Sequence, residues 1–174
     1  MNPTATPRPS VTPAAFRAAL GSFVTGVTVM STEVDGVPHG MTANAVTSVS
    51  LEPPMVLACV DRTAHMASVV GRAGRFALSV LAADQADLST RFADPSRGLG
   101  AREFDGVEVQ QGSVGVPLLE GAVAHIECEV DRIVPAGDHL VVLGAVVALD
   151  STPRAPLAYL RGSYGTFSSV PPTR

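Results

Sequence analysis

Residues 122–131 alternate without a break, and that stretch constrains the fold more than any other. Ala122, Ala124, Ile126, Cys128 and Val130 point one way, while Val123, His125, Glu127, Glu129 and Asp131 point the other. A period of two over ten residues is a strand with one apolar and one polar face, and such strands pair antiparallel with the polar face toward water. Pro135-Ala136-Gly137-Asp138 then supplies a turn, and residues 139–149 run back as an almost wholly apolar strand. A long antiparallel ladder therefore anchors the second half of the chain.

The first half has the same character with short helices added. Thr12 followed by Pro13 reads as a helix N-cap with proline at the first helical position, and Phe16, Ala19 and Leu20 fall on one face before Gly21 ends the helix. From Gly26 the period changes to two through Val27 and Val29 toward Thr32, and Asp35-Gly36 predicts a hairpin turn. Residues 46–51 read as a strand, and Met55 to Val60 as an apolar strand buried on both sides. A helix follows at 64–71 with Met66, Val69 and Val70 on one face, then a strand at 75–81 and a polar-faced helix at 84–92. Residues 93–106 form a loop long enough to be functional or mobile. Valine-rich strands spaced by turns imply a mainly β chain with short helices, arranged as a closed or partly open antiparallel barrel. The length of 174 residues suits one domain, expected over 13–170 after a flexible, Pro- and Thr-rich leader at 1–12.

Composition removes several function classes. A net charge of −4 argues against nucleic acid or an anionic membrane as the main partner. All 12 cationic residues are arginine, so any bound phosphate must be held by guanidinium forks, hydroxyls and backbone N–H groups. Cys59 and Cys128 lie far apart with no CxxC pair, and the histidines at 39, 65, 125 and 139 have no metal-ligand spacing. There is no GxGxxG, no GxxxxGK[ST], no GxSxG and no HExxH. No metal site is expected. A mean hydropathy of +0.29 hints at apolar surface buried between subunits, and hence at a homodimer. With no signal peptide and no apolar run long enough to cross a bilayer, a cytoplasmic location is expected.

Three segments carry the functional reading: GMTANAVTSVSLEPP at 40–54 with MVLACVDR at 55–62, PAGDHLVVLGAV at 135–146, and LAYLRGSYGTF at 157–167. REFDGV at 102–107 and PLLEGAVAHIECEV at 117–130 accompany them. In this order and spacing the chain, over roughly residues 13–167, resembles the short-chain flavin reductases of two-component monooxygenases. The resemblance implies a Greek-key split β-barrel that binds FMN or FAD and NADH or NADPH, with no choice made within either pair. It also implies a separate flavin-dependent monooxygenase or halogenase that receives reduced flavin. The alternatives are a single-component oxidoreductase on the same fold and a non-catalytic flavin-binding protein.

The residues make physical sense of that resemblance. Small residues beside Thr42, Ala43 and Asn44, and the hydroxyls around Ser48, Val49 and Ser50, let backbone approach a planar ring whose polar edge needs hydrogen-bond partners. A polar strand facing water is the competing reading. By the resemblance, Cys59, Val60, Asp61, Arg62 and Thr63 border the ribityl chain and phosphate of the flavin. Arg62 and Thr63 at a helix start also suit an anion on physical grounds. The family carries Ser or Thr near where this chain has His65. Arg102 is a further phosphate candidate from the long loop. Asp138-His139 is the pair with most chemistry: the resemblance puts His139 at the nicotinamide as the catalytic residue, and Asp138 can fix its tautomer. Arg161 and Tyr164 are candidates to close over the flavin or a partner subunit.

Overall fold

The alternating stretch becomes the longest ladder of the computed structural model, which describes residues 11–169. Its elements in chain order are α1 (Pro13–Leu20), β1 (Thr25–Gly26), β2 (Thr28–Val34), β3 (Val37–Ala43), β4 (Val46–Leu51), β5 (Pro54–Asp61), α2 (His65–Ala73), β6 (Arg75–Val80) and α3 (Ala86–Ala93). A 3₁₀ turn (Gly100–Phe104) precedes β7 (Val109–Gln111), β8 (Pro117–Leu119), β9 (Ala124–Ala136), β10 (His139–Ser151), β11 (Leu157–Leu160) and β12 (Ser163–Thr166). The leader expected at 1–12 lies outside the described residues but for its last two.

Seven strands form one antiparallel sheet in the order β3-β2-β6-β9-β10-β5-β4. The sheet curls enough for β3 to touch β5, but β3 and β4 remain unpaired outer edges, so the barrel is split rather than closed. A second sheet, β1-β11-β12, flanks it. The chain signals act where the sequence puts them. Thr12 Oγ1 accepts the Ala15 N–H at 3.2 Å to start α1, and Asp35 (φ 54°) and Gly36 (φ 75°) make the paired left-handed turn that joins β2 to β3.

The interior of the curl is filled by α2, which presents Met66, Val69 and Val70 to Met30, Val56, Ala58, Val60, Phe76, Leu78, Cys128 and Val142. A second cluster, with Val27, Val29, Leu81, Phe92, Phe104, Leu119 and Leu157, lies on the other side of β2. That is why β2 is buried on both faces. Gly144 of β10 passes so close to Phe76 that a Cβ there would lie 2.5 Å from the ring.

Two expectations need correction. β5 is not buried on both sides: Val56, Ala58 and Val60 enter the core, whereas Met55, Leu57 and Cys59 are only half-buried. Nothing among the described residues fully covers that outer face. The polar face of β9 is not wholly wet either. His125 and Glu127 are each 6% exposed, because β7, β8 and their connection cover them. The His125 ring meets the Leu119 carbonyl at 2.8 Å and Asp150 Oδ1 at 2.9 Å. Glu127 accepts from Ser113 Oγ at 3.0 Å and the Val114 N–H at 2.9 Å.

Candidate active site

Antiparallel register places side chains of directly opposed residues on one face. Cys59 opposes Val141, Asp61 opposes His139, and Leu57 opposes Thr47. Ala136 opposes His139 on the next strand. The outer face of β4, β5, β10 and the end of β9 is therefore a floor of small and apolar groups with His139 at one end. Phe16, Leu20 and Phe23 from α1 and its C-terminal extension line the same cavity, and Thr25 and Asn44 do so beside them. Its volume is about 630 Å³, within the range of about 300–1,000 Å³ usual for small-molecule sites.

The polar groups of this groove are few. His139 Nδ1 lies 2.8 Å from Asp138 Oδ1. The hydrogen bond from His139 is the chief reason the Asp138 carboxyl is held below the usual carboxylate range. An ionised carboxylate only accepts, so Nδ1 carries the hydrogen of that contact. Nε2 has no partner among the described residues and remains available to a ligand. Asp61, opposite His139, is also held below the usual range, first by the Thr63 hydroxyl and then by the Thr63 N–H, both at 2.7 Å from Oδ1. Thr63 is thus committed to Asp61. Arg62 straps the β9–β10 turn, its N–H donating to the Asp138 carbonyl at 3.0 Å and its guanidinium to the Gly137 carbonyl at 3.4 Å.

The remaining sequence candidates divide. Asn44 and Cys59 line the groove. Ala43 is buried just before Asn44, and Val60 points into the core, so these two offer the groove backbone only. Thr42 Oγ1 donates to the Ser89 carbonyl at 2.7 Å. Tyr164 Oη bonds Ser89 Oγ at 2.8 Å, and Thr42, Asn44 and Tyr164 share a smaller side cavity of about 230 Å³. Ser48, Val49 and Ser50 lie on the exposed edge strand, where a bulge sits between Ser48 and Ser50. Arg102 lies against Gly98, outside the groove lining. Arg161 lines a chamber next to the groove. His65 packs its ring on His39, centroids 4.7 Å apart.

Sequence reasoning missed the wall formed by Phe16, Leu20 and Phe23. The amphipathic face of α1 was legible, yet no residue of α1 is buried, and that exposure was not. Leu57, Thr47 and Val141 were missed because their role follows from register.

A flat conjugated ring with a polar edge fits this groove. The floor is apolar, the side chains flanking it at Ala45 and Cys59 are small, and the groups without a partner among the described residues are at its ends: His139 Nε2, the Asn44 amide and the buried Thr25 Oγ1. The flavin reductase like domain family matches residues 20–168. The chain belongs to that family. Relatives within it include a NADH-dependent flavin reductase from a Rhodococcus species, 43% identical over 159 residues, which cover 90% of this chain and 87% of the relative. A NADH-dependent FAD reductase from Streptomyces globisporus is 43% identical over 155 residues, 88% of this chain and 85% of the relative. Among solved structures of flavin reductases, BorF, the reductase component of a bacterial two-component tryptophan halogenase, matches with a TM-score of 0.84 at 37% identity, covering 90% of this chain and 99% of that one. The Streptomyces globisporus NADH:FAD oxidoreductase SgcE6, in complex with NAD and FAD fragments, matches with a TM-score of 0.83 at 40% identity over 89% of this chain and 92% of that one.

Proposed function

We propose that this chain is an NAD(P)H:flavin oxidoreductase that reduces FMN or FAD and releases the product to a separate flavin-dependent monooxygenase or halogenase. The observation that carries this reading is the apolar groove ending on His139, whose Nδ1 is engaged by Asp138 and whose Nε2 has no partner among the described residues. The flavin and nicotinamide rings supply the hydride chemistry between themselves, which requires no strong protein acid or base. The chain's task is orientation: holding two rings with reacting atoms about 3–3.5 Å apart supplies most of the acceleration available. The floor of β5 and β10 holds one ring against apolar side chains. Asn44 and the backbone around it meet its polar edge. His139, fixed by Asp138, offers Nε2 to the carboxamide of the nicotinamide. NADH-dependent relatives support NADH as the reductant.

The supporting picture is a cytoplasmic homodimer. The support for a homodimer is the mean hydropathy of +0.29, high for a chain whose apolar surface is all buried within one subunit. Among the described residues no helix is long and apolar enough to cross a membrane. Light scattering that gives a monomer mass would refute the dimer.

The test of the activity is NADH oxidation with FMN, FAD and riboflavin in turn, for the wild type and for His139→Ala. The variant should raise KM for NADH at least tenfold while the flavin dissociation constant changes less than threefold. Equal loss of both would refute the role of His139, and no oxidation with any flavin would refute the activity.

A further inference from the structure

A cavity of about 630 Å³ that shares no residue with the groove lies where the β7–β8 connection covers β6 and β9. Alternation along β6 sends Phe76 and Leu78 toward α2 and turns Arg75 and Ala77 toward that connection. Arg75 opposes Glu129 across the β6–β9 ladder, and both residues line the cavity, with Val114 and Val130 beside them.

Arg72, Arg97 and Arg154 each pair with a carboxylate. The Arg75 guanidinium pairs with none among the described residues and makes no side-chain hydrogen bond there. Its Nε is buried and has no partner. Buried donors in folded proteins nearly always have an acceptor, so a guanidinium left open beside a cavity points to an acceptor from outside the chain.

The loop above Arg75 leaves its donor edge clear. A Cβ on Gly115 would lie 3.5 Å from Nη2 and 3.6 Å from both Cζ and Nη1. Near-equal distances to all three atoms place that backbone over the flat face of the guanidinium, not across its N–H groups. Glu127 fixes the loop in this position. It is 6% exposed and accepts from Ser113 Oγ and the Val114 N–H, one on each oxygen. Glu127 is therefore committed to the loop, and it opposes Ala77, not Arg75. Glu129 is exposed and forms no ion pair among the described residues.

Directly opposed residues keep their Cβ atoms about 4.5–5.5 Å apart, so a cation and an anion stand side by side on one floor. A ligand that meets both carries its own opposite charges close together, and Val114 and Val130 give it an apolar wall. A guanidinium fork takes a carboxylate, and a carboxylate takes an ammonium. We propose that this cavity binds a free α-amino acid with an apolar side chain, its carboxylate on Arg75 and its ammonium on Glu129. The inference is independent of the flavin reductase reading, which uses none of these residues.

The experiment is calorimetric titration of the full chain with L-phenylalanine, 3-phenylpropanoate and phenethylamine, each with and without saturating FMN. The second probe lacks the ammonium and the third lacks the carboxylate. L-Phenylalanine should bind at one site per chain, unaffected by FMN. Each of the other two should bind at least tenfold more weakly, a factor of ten being the worth of about one charge-assisted hydrogen bond. Arg75→Gln, which breaks no side-chain hydrogen bond, and Glu129→Gln, at an exposed position, should each weaken L-phenylalanine about tenfold with circular dichroism unchanged. The proposal is overturned by absence of saturable binding, by equal affinity for the three probes, or by a Glu129→Gln protein within twofold of wild type. Displacement of L-phenylalanine by FMN would place it in the groove and overturn the proposal as well.

Discussion

Replacing Glu103 by alanine should unfasten the long loop from β3 and cost more stability than any single side chain in the groove. Glu103 is 1% exposed. Its carboxylate accepts from the Gly40 N–H at 2.9 Å, the Gly100 N–H at 3.1 Å and Arg97 Nε at 3.3 Å, with His39 Nδ1 at 3.4 Å. Arg97 in turn donates to the Gly40 carbonyl at 2.6 Å. Truncation leaves two buried N–H groups without an acceptor, each worth about 1–3 kcal/mol, and an arginine without its carboxylate, where breaking a buried pair costs about 3–5 kcal/mol. These terms overlap, and Arg97 is near enough to water, at 16% side-chain exposure, to recover part of its loss. A net cost of about 3–4 kcal/mol follows. For a chain of this length about 1 kcal/mol moves Tm by about 2–4 °C, so calorimetry should show a fall of about 10 °C. Glu103→Gln keeps one acceptor oxygen and should fall between the variant and the wild type. A Glu103→Ala protein within about 1 kcal/mol of wild type would mean that water satisfies these donors, and the clamp would not exist.

The other predictions concern single contacts. Gly144→Ala puts a Cβ 2.5 Å from the Phe76 ring and 2.8 Å from Cys128 Cβ, and overpacking of this kind costs about 1–3 kcal/mol; an unchanged urea midpoint would refute it. Burial pushes the Cys128 thiol up to about 12, whereas Cys59 is half-buried in the groove. Iodoacetamide at pH 8 should therefore alkylate Cys59 alone, saturating FMN should protect it, and mass spectrometry finding label on Cys128 in the native state would refute this. The Asp138 carboxyl, held low mainly by the His139 hydrogen bond, contributes its favourable interaction above the ordinary carboxylate range of about 4 and loses it only as pH falls through the lower folded value. Between pH 5 and 8 it stays ionised, so Asp138→Asn should lower kcat/KM for NADH several-fold across that window by freeing the ring of His139. A variant with wild-type kcat/KM for NADH would count against it.

Local signals were legible and long-range coverage was not. Thr12-Pro13 with Gly21 bounded α1, Asp35-Gly36 made its turn, and Met66, Val69 and Val70 marked the face that α2 buries, because each depends on neighbours a few residues away. His139, singled out by the resemblance, lines the groove. Coverage depends on partners far along the chain. Glu127 is buried by residues 113–114, while Glu103 reaches back more than sixty residues to Gly40. Cys59 and Leu57 look like core from their apolar run, yet they are only half-buried because no later segment among the described residues closes over the outer side of β5. Arg102, Ser48 and Ser50 are absent from the lining of this groove, a placement that charge and hydroxyl content alone do not give.

The groove's two sides are built to different standards, and that bears on how it works. Its floor belongs to the β9-β10-β5 ladder, where each strand is paired on both edges and packed against α2 from within. A ring laid on it meets atoms whose positions are set by the whole core. Its other wall is α1, with Phe16 57% and Leu20 53% exposed and no buried residue, held to the C-terminal sheet by the Arg161 contacts at Gly21 and Ser22. A wall with few buried contacts opens at low free-energy cost. A reductase that must take in one ring, receive a second beside it and then let a product leave needs one immobile surface and one that yields. In the proposed reaction the floor is the surface suited to align a ring, and the lightly held helix is the wall that opens at least cost.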